Sequence, residues 1–399
     1  MSRNEALQFI NVAHFFDHFF LLIFPTAALA IAPDWGMSFA DVLLFGTPLY
    51  IMFGLGTLPA GWLGDRVDRL TLIAIFFLGC GASSIWIALA SGPAAMTVGL
   101  GLLGLFAAIY HPVGLAHVTH IGLRSGRALA VNGVFGNMGL AGAAVTTGIL
   151  AQNFGWQSAF ALPGMISVIV GGVLVFRNRT QHAAKVSHAK PRPLTGAAYD
   201  DHTQWRVFLV VCTSALFGGL VFNVVTISLP KFLDERLIST GADLAWVGAS
   251  AGLVFAVAAF AQLPVGELLD RIGARPVFLR LLAAEILLLS ALSQATGWAA
   301  FVLTLLAVTV IFAGIPITTW LLGHYLKPDV RSRAVSIEYV LSLGVGSAVV
   351  PLVAFLHRAG FGFDFQFAGL AVGSSIIFAA AVFLPKPLRT PADAVTDER

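Results

Sequence analysis

Apolar runs of about twenty residues recur along the whole chain, each closed by a short polar or Gly/Pro-marked break. Twelve such runs lie at roughly 8–32, 40–63, 70–90, 94–120, 127–151, 157–177, 205–233, 243–269, 277–295, 298–326, 331–357 and 364–385. A helix needs about 20 apolar residues to cross the hydrocarbon core of a bilayer, so each run has the length of one span. They lack the strict alternation that marks the strands of a membrane β-barrel. The pattern predicts an all-α membrane protein with twelve transmembrane helices.

Composition agrees, with 58% hydrophobic and 11% charged residues and a mean hydropathy of +0.87. A water-soluble globule could not cover itself with so little polar surface. Ala28-Leu29-Ala30 resembles a signal-peptide cleavage site. Only Arg3 precedes the apolar stretch, however, and His14, Asp17 and His18 interrupt it, so it reads as the first helix and not a leader. Cys80 and Cys212 both fall inside predicted helices, and no disulfide framework is implied.

The longest polar interruption, 178–204, divides the chain into a first six-helix bundle (1–177), a linker (178–204) and a second bundle (205–399). Its His182, His188 and His202 lack metal-ligand spacing and read as solvated. Of the 23 Lys and Arg residues, all but Lys231, Arg236 and Arg358 fall at the termini, in the linker or at alternate loops. Basic residues stay on the cytoplasmic side during insertion, so both termini and the linker are expected there, in a cell (inner) membrane. The net charge of +3 needs no nucleic acid, because these residues sit where anionic lipid is the neighbour.

The halves repeat each other. "GWLGDRVDRL" (61–70) follows the second helix and "GELLDRIGAR" (266–275) the eighth, with Asp65 and Asp270 205 positions apart. "RSGRALAVN" and "RSRAVSIE" begin helices 5 and 11, with Arg127 and Arg333 206 apart. Two matches at nearly one offset mark two copies in the same orientation. In the first of these loops, Gly61 permits close helix approach. Asp65 can face a neighbouring helix N-terminus, and Arg66, Arg69 and Arg271 can pair with carboxylates or lipid phosphate. A topology signal alone is the other reading of these arginines.

Within the first helix, His14, Asp17 and His18 share one face at spacings of three and four, extended by Asn11. Ionisable groups in a spanning helix cost several kcal/mol unless they face a partner or a wet cavity. Three readings stay open: a hydrogen-bonded cluster that pins the helix, a proton or substrate site, or a divalent-metal site made of His14, Asp17, His18 and His111. Tyr110 and His111 stand beside Pro112, which removes a helix hydrogen bond and frees backbone carbonyls. Further polar candidates are Asn132 and its repeat counterpart Glu338, Asn137, Asn223, Gln262, Glu285, Trp320 and His324. Glu338 lies five residues after Arg333, so a salt bridge between them is expected over a coupling role.

The chain resembles the major facilitator superfamily over essentially its whole length. Gly61, Leu63, Asp65, Arg66 and Arg69 match that family's signature loop, with Asp68 and Leu70 departing from it. Gly266, Leu268, Asp270, Arg271, Gly273 and Arg275 match in the second copy. The resemblance implies alternating access, a cavity lined by the first helix of each half, helix 9 packed outside it, and a signature loop that latches the cytoplasmic side in the outward-open state. Arg127, Arg333 and Glu338 are counted with that latch. The Tyr-His-Pro stretch, with His14 and Asp17, is similar to the fosmidomycin-resistance drug exporters. Gly133, Gly136, Gly139 and Gly142 form a small-residue stripe, but Leu140 stands where the antiporters of the family carry a Pro.

No Lys or Arg falls deep in a cavity helix and no Walker loop is present, which argues against multiply charged phosphate substrates and against ATP hydrolysis. The expected function is proton-coupled export of small amphiphilic compounds by a monomer, with a small-molecule substrate, protons and lipid as partners and no cofactor. The alternatives are a transition-metal transporter and a non-transporting membrane sensor. No enzyme is expected, because no nucleophile and base stand out.

Overall fold

The computed structural model describes residues 2–121, 125–179, 199–237, 241 and 243–385. Among the described residues the chain is helical, without strands. In the first half run α1 (Arg3–Asp34), α2 (Phe39–Gly64), α3 (Arg69–Ala88), α4 (Pro93–Val118), α5 (Ala128–Phe154) and α6 (Trp156–Asn178). In the second run α7 (Asp201–Leu237), α8 (Leu244–Ile272), α9 (Ala274–Leu292), α10 (Gly297–Tyr325), α11 (Arg333–Arg358) and α12 (Phe363–Ala381). Eleven of the twelve are long and apolar enough to cross a membrane. The exception is α9, whose 19 residues include Arg275, Arg280 and Glu285.

Local chemistry explains where the helices depart from the sequence boundaries. α1 begins five residues before its apolar run because Ser2 and Glu5 close a capping box: the Ser2 amide donates to Glu5 Oε2 at 2.6 Å and the Glu5 amide to Ser2 Oγ at 3.2 Å. α4 breaks at Ala108 and Ile109 and resumes at Tyr110. Pro112 causes this, since its ring clashes with the carbonyl four residues earlier. Pro264 breaks α8 at Phe260 and Ala261 in the same way. α7 holds a π-helical turn at Ser214–Gly218, which the apolar periodicity did not reveal.

The two halves meet along α5 against α8 and α2 against α11. Close approach of α5 and α8 requires glycine: a Cβ on Gly248 would lie 2.4 Å from the Ala144 carbonyl oxygen. Away from the interface, Leu58, Phe176, Leu287 and Val372 stay exposed, as apolar side chains facing lipid should.

At the end opposite the termini the halves are clasped. Arg358 of α11 pairs with Asp41 of α2, and Phe39 meets His357 and Lys231 from the other half. Beside them Gln152 of α5 donates to Asp243 Oδ2 at 2.9 Å and accepts from the Ala245 amide at 2.6 Å. Hydrogen bonds from Gln152 and the Trp246 amide hold the Asp243 carboxyl below the usual range. A depressed carboxylate contributes its stability above its unfolded pKa and loses it only as pH falls through the lowered value, so this contact is intact from pH 5 to 8. At the end bearing the termini, Arg69 donates to the Ala116 carbonyl and Trp320 to Asp270, each within its own half.

The clasp predicts a population shift. Asp41→Asn removes this solvent-accessible ion pair and should shift the balance of states modestly away from closure at the clasped end. In a variant lacking the native cysteines, a cysteine at cavity residue Asn223 should react faster with an impermeant thiol reagent added from the clasped side. An unchanged rate would show that the pair does not hold the closure.

Candidate functional site

Between the halves lies a cavity of about 450 Å³, within the range of small-molecule sites. Its wall in the first half carries His14 and His18 of α1, Tyr50 and Phe53 of α2, His111 of α4 and Asn137 of α5. The second half contributes Asn223, Gln262, Glu285, Thr318, Glu338 and Tyr339. No Lys or Arg lines it among the described residues.

One hub organises the first wall. Asn132 of α5, fully buried, accepts from the Tyr110 hydroxyl at 2.9 Å and donates Nδ2 to Asn11 Oδ1 at 2.9 Å. Its backbone carbonyl lies 2.7 Å from His14 Nδ1, so that nitrogen carries the proton and donates. Tyr110 stacks on His14 with ring centroids 4.6 Å apart. The break in α4 sets Tyr110 and His111 against α1, and the i, i+3, i+4 spacing of α1 does the rest. Gly136 makes room for the His14 ring, as a Cβ there would lie 2.4 Å from Nε2. Gly139 and Gly142 face Phe15 and Phe19, so three members of the stripe serve the packing of α5 on α1, whereas Gly133 faces Gln262.

His14, His18 and His111 gather closely, each offering one ring nitrogen within 4.8 Å of the others, a set that could hold a metal ion. Asp17 is fully buried behind them and does not line the cavity. Its Oδ2 lies 3.2 Å from His111 Nε2, an ion-pair distance whose angles fall short of a directed hydrogen bond, and neither carboxyl oxygen has a hydrogen-bond partner.

In the second half the placements depart from expectation. Glu285, assigned to a helix outside the cavity, lines it and accepts a 2.6 Å bond from Ser374 of α12. Glu338, expected to pair with Arg333, turns to the cavity, whose wall it shares with Thr318, while Arg333 is exposed. The reason is the helix face: five residues along α11 is about 1.4 turns, which sets the two side chains on different sides. Asn137 and Asn223 line the cavity, and Asn223 also donates to the Gly219 carbonyl at 2.8 Å. Trp320 and His324 stack on each other toward the terminal end, outside the lining. The π-turn at Ser214–Gly218, unseen in the sequence, contributes Ser214, Ala215 and Gly218 to the wall.

The latch residues share the terminal end. Asp65 and Arg66 are exposed, with Arg66 lying 4.1 Å from the centre of the Trp62 ring near the end of α2. Arg271 pairs with Glu267 and Asp270 accepts from Trp320. Gly61 is not a tight contact, because a Cβ there would lie 3.5 Å from Pro112, and Gly266 has nothing within 4 Å. Arg127 lies outside the residues whose side chains are described.

Comparison with known proteins bears on this arrangement. Residues 9–258 match the family model described as Major Facilitator Superfamily. A probable hexose phosphate transport protein of Chlamydia trachomatis is 28% identical over 44% of the chain and 39% of its own length. The tetracenomycin C resistance and export protein of Streptomyces glaucescens is 30% identical over 39% of the chain and 30% of its own length. The chain thus spans two fifths or less of these two relatives. The 4-hydroxybenzoate transporter PcaK of Pseudomonas aeruginosa is 25% identical over 94% of the chain and 92% of that protein. Among solved structures, a bacterial homologue of the human lysosomal transporter Spinster, inward-facing and unoccupied, superposes with a TM-score of 0.70 at 15% identity. It covers 96% of the chain and 94% of that structure, a likeness of fold.

The hub predicts a graded loss of stability. Asn132→Leu strands the Tyr110 hydroxyl and the Asn11 side-chain oxygen and should cost about 1–3 kcal/mol. Tyr110→Phe removes one donor and should cost about 0.6 kcal/mol. Thermal unfolding in detergent measures both, and equal small effects would remove Asn132 from its organising place.

Proposed function

The chain belongs to the Major Facilitator Superfamily, and from that premise we propose that it is a proton-coupled exporter of small amphiphilic compounds, neutral or cationic. As a member it is a secondary transporter and not an enzyme. In this reading the end bearing the termini is cytoplasmic, because nearly all basic residues gather there, and the clasped state is inward-facing.

One observation carries the substrate class: among the described residues, two carboxyl side chains, Glu285 and Glu338, and no Lys or Arg face an otherwise mostly apolar and aromatic cavity. A hexose phosphate would find no guanidinium or ammonium to pair with. A cationic or neutral amphiphile finds apolar wall, hydroxyl and amide partners, and a carboxylate. Proton coupling follows from the same groups. A carboxyl group exposed in turn to each compartment attracts a cation when ionised and releases it when protonated. The coupling role expected of Asp17 passes here to Glu338 and Glu285, since Asp17 is sealed behind His111. Name-level support for export comes from the tetracenomycin C relative.

A second reading, transport of an aromatic carboxylate, is favoured by the relative that aligns nearly end to end, the 4-hydroxybenzoate transporter, and by the imidazoles on the first wall. It puts the substrate's carboxylate against His18 and His111 and needs no cation site.

Glu338→Gln separates the two. In proteoliposomes under a pH gradient, it should slow driven transport of a cationic amphiphilic dye by about tenfold or more, a loss of at least about 1.4 kcal/mol of driving interaction. Exchange without a gradient should persist. Driven dye transport at the unaltered rate would refute the coupling role, and 4-hydroxybenzoate transport insensitive to the change would favour the second reading.

A further inference from the structure

The three imidazoles on the first wall are arranged as ligands. A cluster serving only to pin helices would use its ring nitrogens on one another or on the backbone. Here His14 uses Nδ1 on the Asn132 carbonyl at 2.7 Å, which leaves the Nε2 lone pair bare. His111 has the Asp17 carboxylate 3.2 Å from Nε2, and its Nδ1 is buried without a hydrogen-bond partner. An imidazole held through one nitrogen by a carbonyl or carboxylate, with the other nitrogen bare, is the form that metal-binding histidines take. Glycine at 136 keeps the surroundings of His14 Nε2 clear of a side chain, and His18 faces the cavity beside the other two rings, 4.9 Å from His14 and 5.6 Å from His111 between centroids.

We propose that His14, His18 and His111 form a binding site for one divalent first-row transition-metal ion, with Asp17 and the Asn132 carbonyl as positioning partners of His111 and His14. Imidazole donors suit zinc, cobalt, nickel or copper, whereas magnesium and calcium take oxygen ligands. Nitrogens bound at about 2.0–2.1 Å in a tetrahedron stand roughly 3.4 Å apart, so the set must contract by about 1.4 Å from its present 4.8 Å span. Side-chain rotations on α1 and α4 can supply that movement. Both helices belong to the first half, so the site forms whichever end of the cavity is open. Three protein ligands leave the fourth position to water or to a donor atom of a molecule in the cavity. The inference goes beyond the export reading and does not rest on it.

The test contains no transport step. Full-length protein carrying no polyhistidine tag, in nanodiscs, is titrated with Co²⁺ by visible absorption, followed by displacement with Zn²⁺. Saturation at one ion per chain is expected, with no displacement by Mg²⁺. His18→Gln, which removes a ring without touching the Asn132 hub, should weaken binding by about tenfold or more, and Asp17→Asn by about tenfold. Replacing His182 and His188, between α6 and α7, and His202 at the start of α7 together should change nothing. X-ray absorption of the zinc-loaded wild type should give three imidazoles, an outcome independent of how any variant folds. Absence of saturable binding, fewer than two imidazoles, or unaltered affinity in folded His18→Gln would overturn the site.

Discussion

In a bilayer core a backbone or side-chain polar group has no water to fall back on, and each one left unpaired costs several kcal/mol. That constraint fixes the first half around Asn132. Its amide and carbonyl take up Tyr110 of α4 and both Asn11 and His14 of α1, so three helices share one buried junction. From it follow the stacking of Tyr110 on His14, the proton on His14 Nδ1 and the gathering of three imidazoles at the cavity. The glycine stripe of α5 is the packing counterpart, since only a residue without a Cβ admits His14 and Phe15 so close to the helix.

The cavity has two chemically different walls. Imidazoles line the side belonging to the first half and carboxyl groups the side belonging to the second. Because each set is anchored within its own half, Glu285 through Ser374 and His14 through Asn132, rocking of the halves would change the distance between the walls without rebuilding either. The clasp of Arg358 with Asp41 and of Gln152 with Asp243 draws the walls together at the end opposite the termini. Alternation in such a design is a choice of which end is clasped.

Much of this was legible in the sequence. Length and hydropathy locate all twelve helices, and the repeat of the Gly-x-x-x-Asp-Arg loop shows the halves to be copies. The i, i+3, i+4 polar stripe of α1 was visible because helical spacing alone decides which side chains share a face. What spacing cannot show is depth across the bundle. His14 and His18 reach the cavity while Asp17, one residue from His18, is sealed behind His111. Glu285 and Glu338 turn inward because of the rotation of α9 and α11 about their own axes, which no local pattern records. The breaks in α4 and α8 were readable in principle from Pro112 and Pro264, the π-turn in α7 was not.

The central claim, two rigid walls that rock about a cavity clasped at one end at a time, is tested most directly by pulsed electron paramagnetic resonance. Spin labels at Ser38 and Gly360 report the clasped end, and labels at Val67 and Ile272 the end bearing the termini, in a background without Cys80 and Cys212. The account predicts opposed changes in the two distance distributions when pH or a cationic amphiphile is varied: one pair lengthens as the other shortens. Distances that lengthen together, or that stay fixed at both ends, would contradict it.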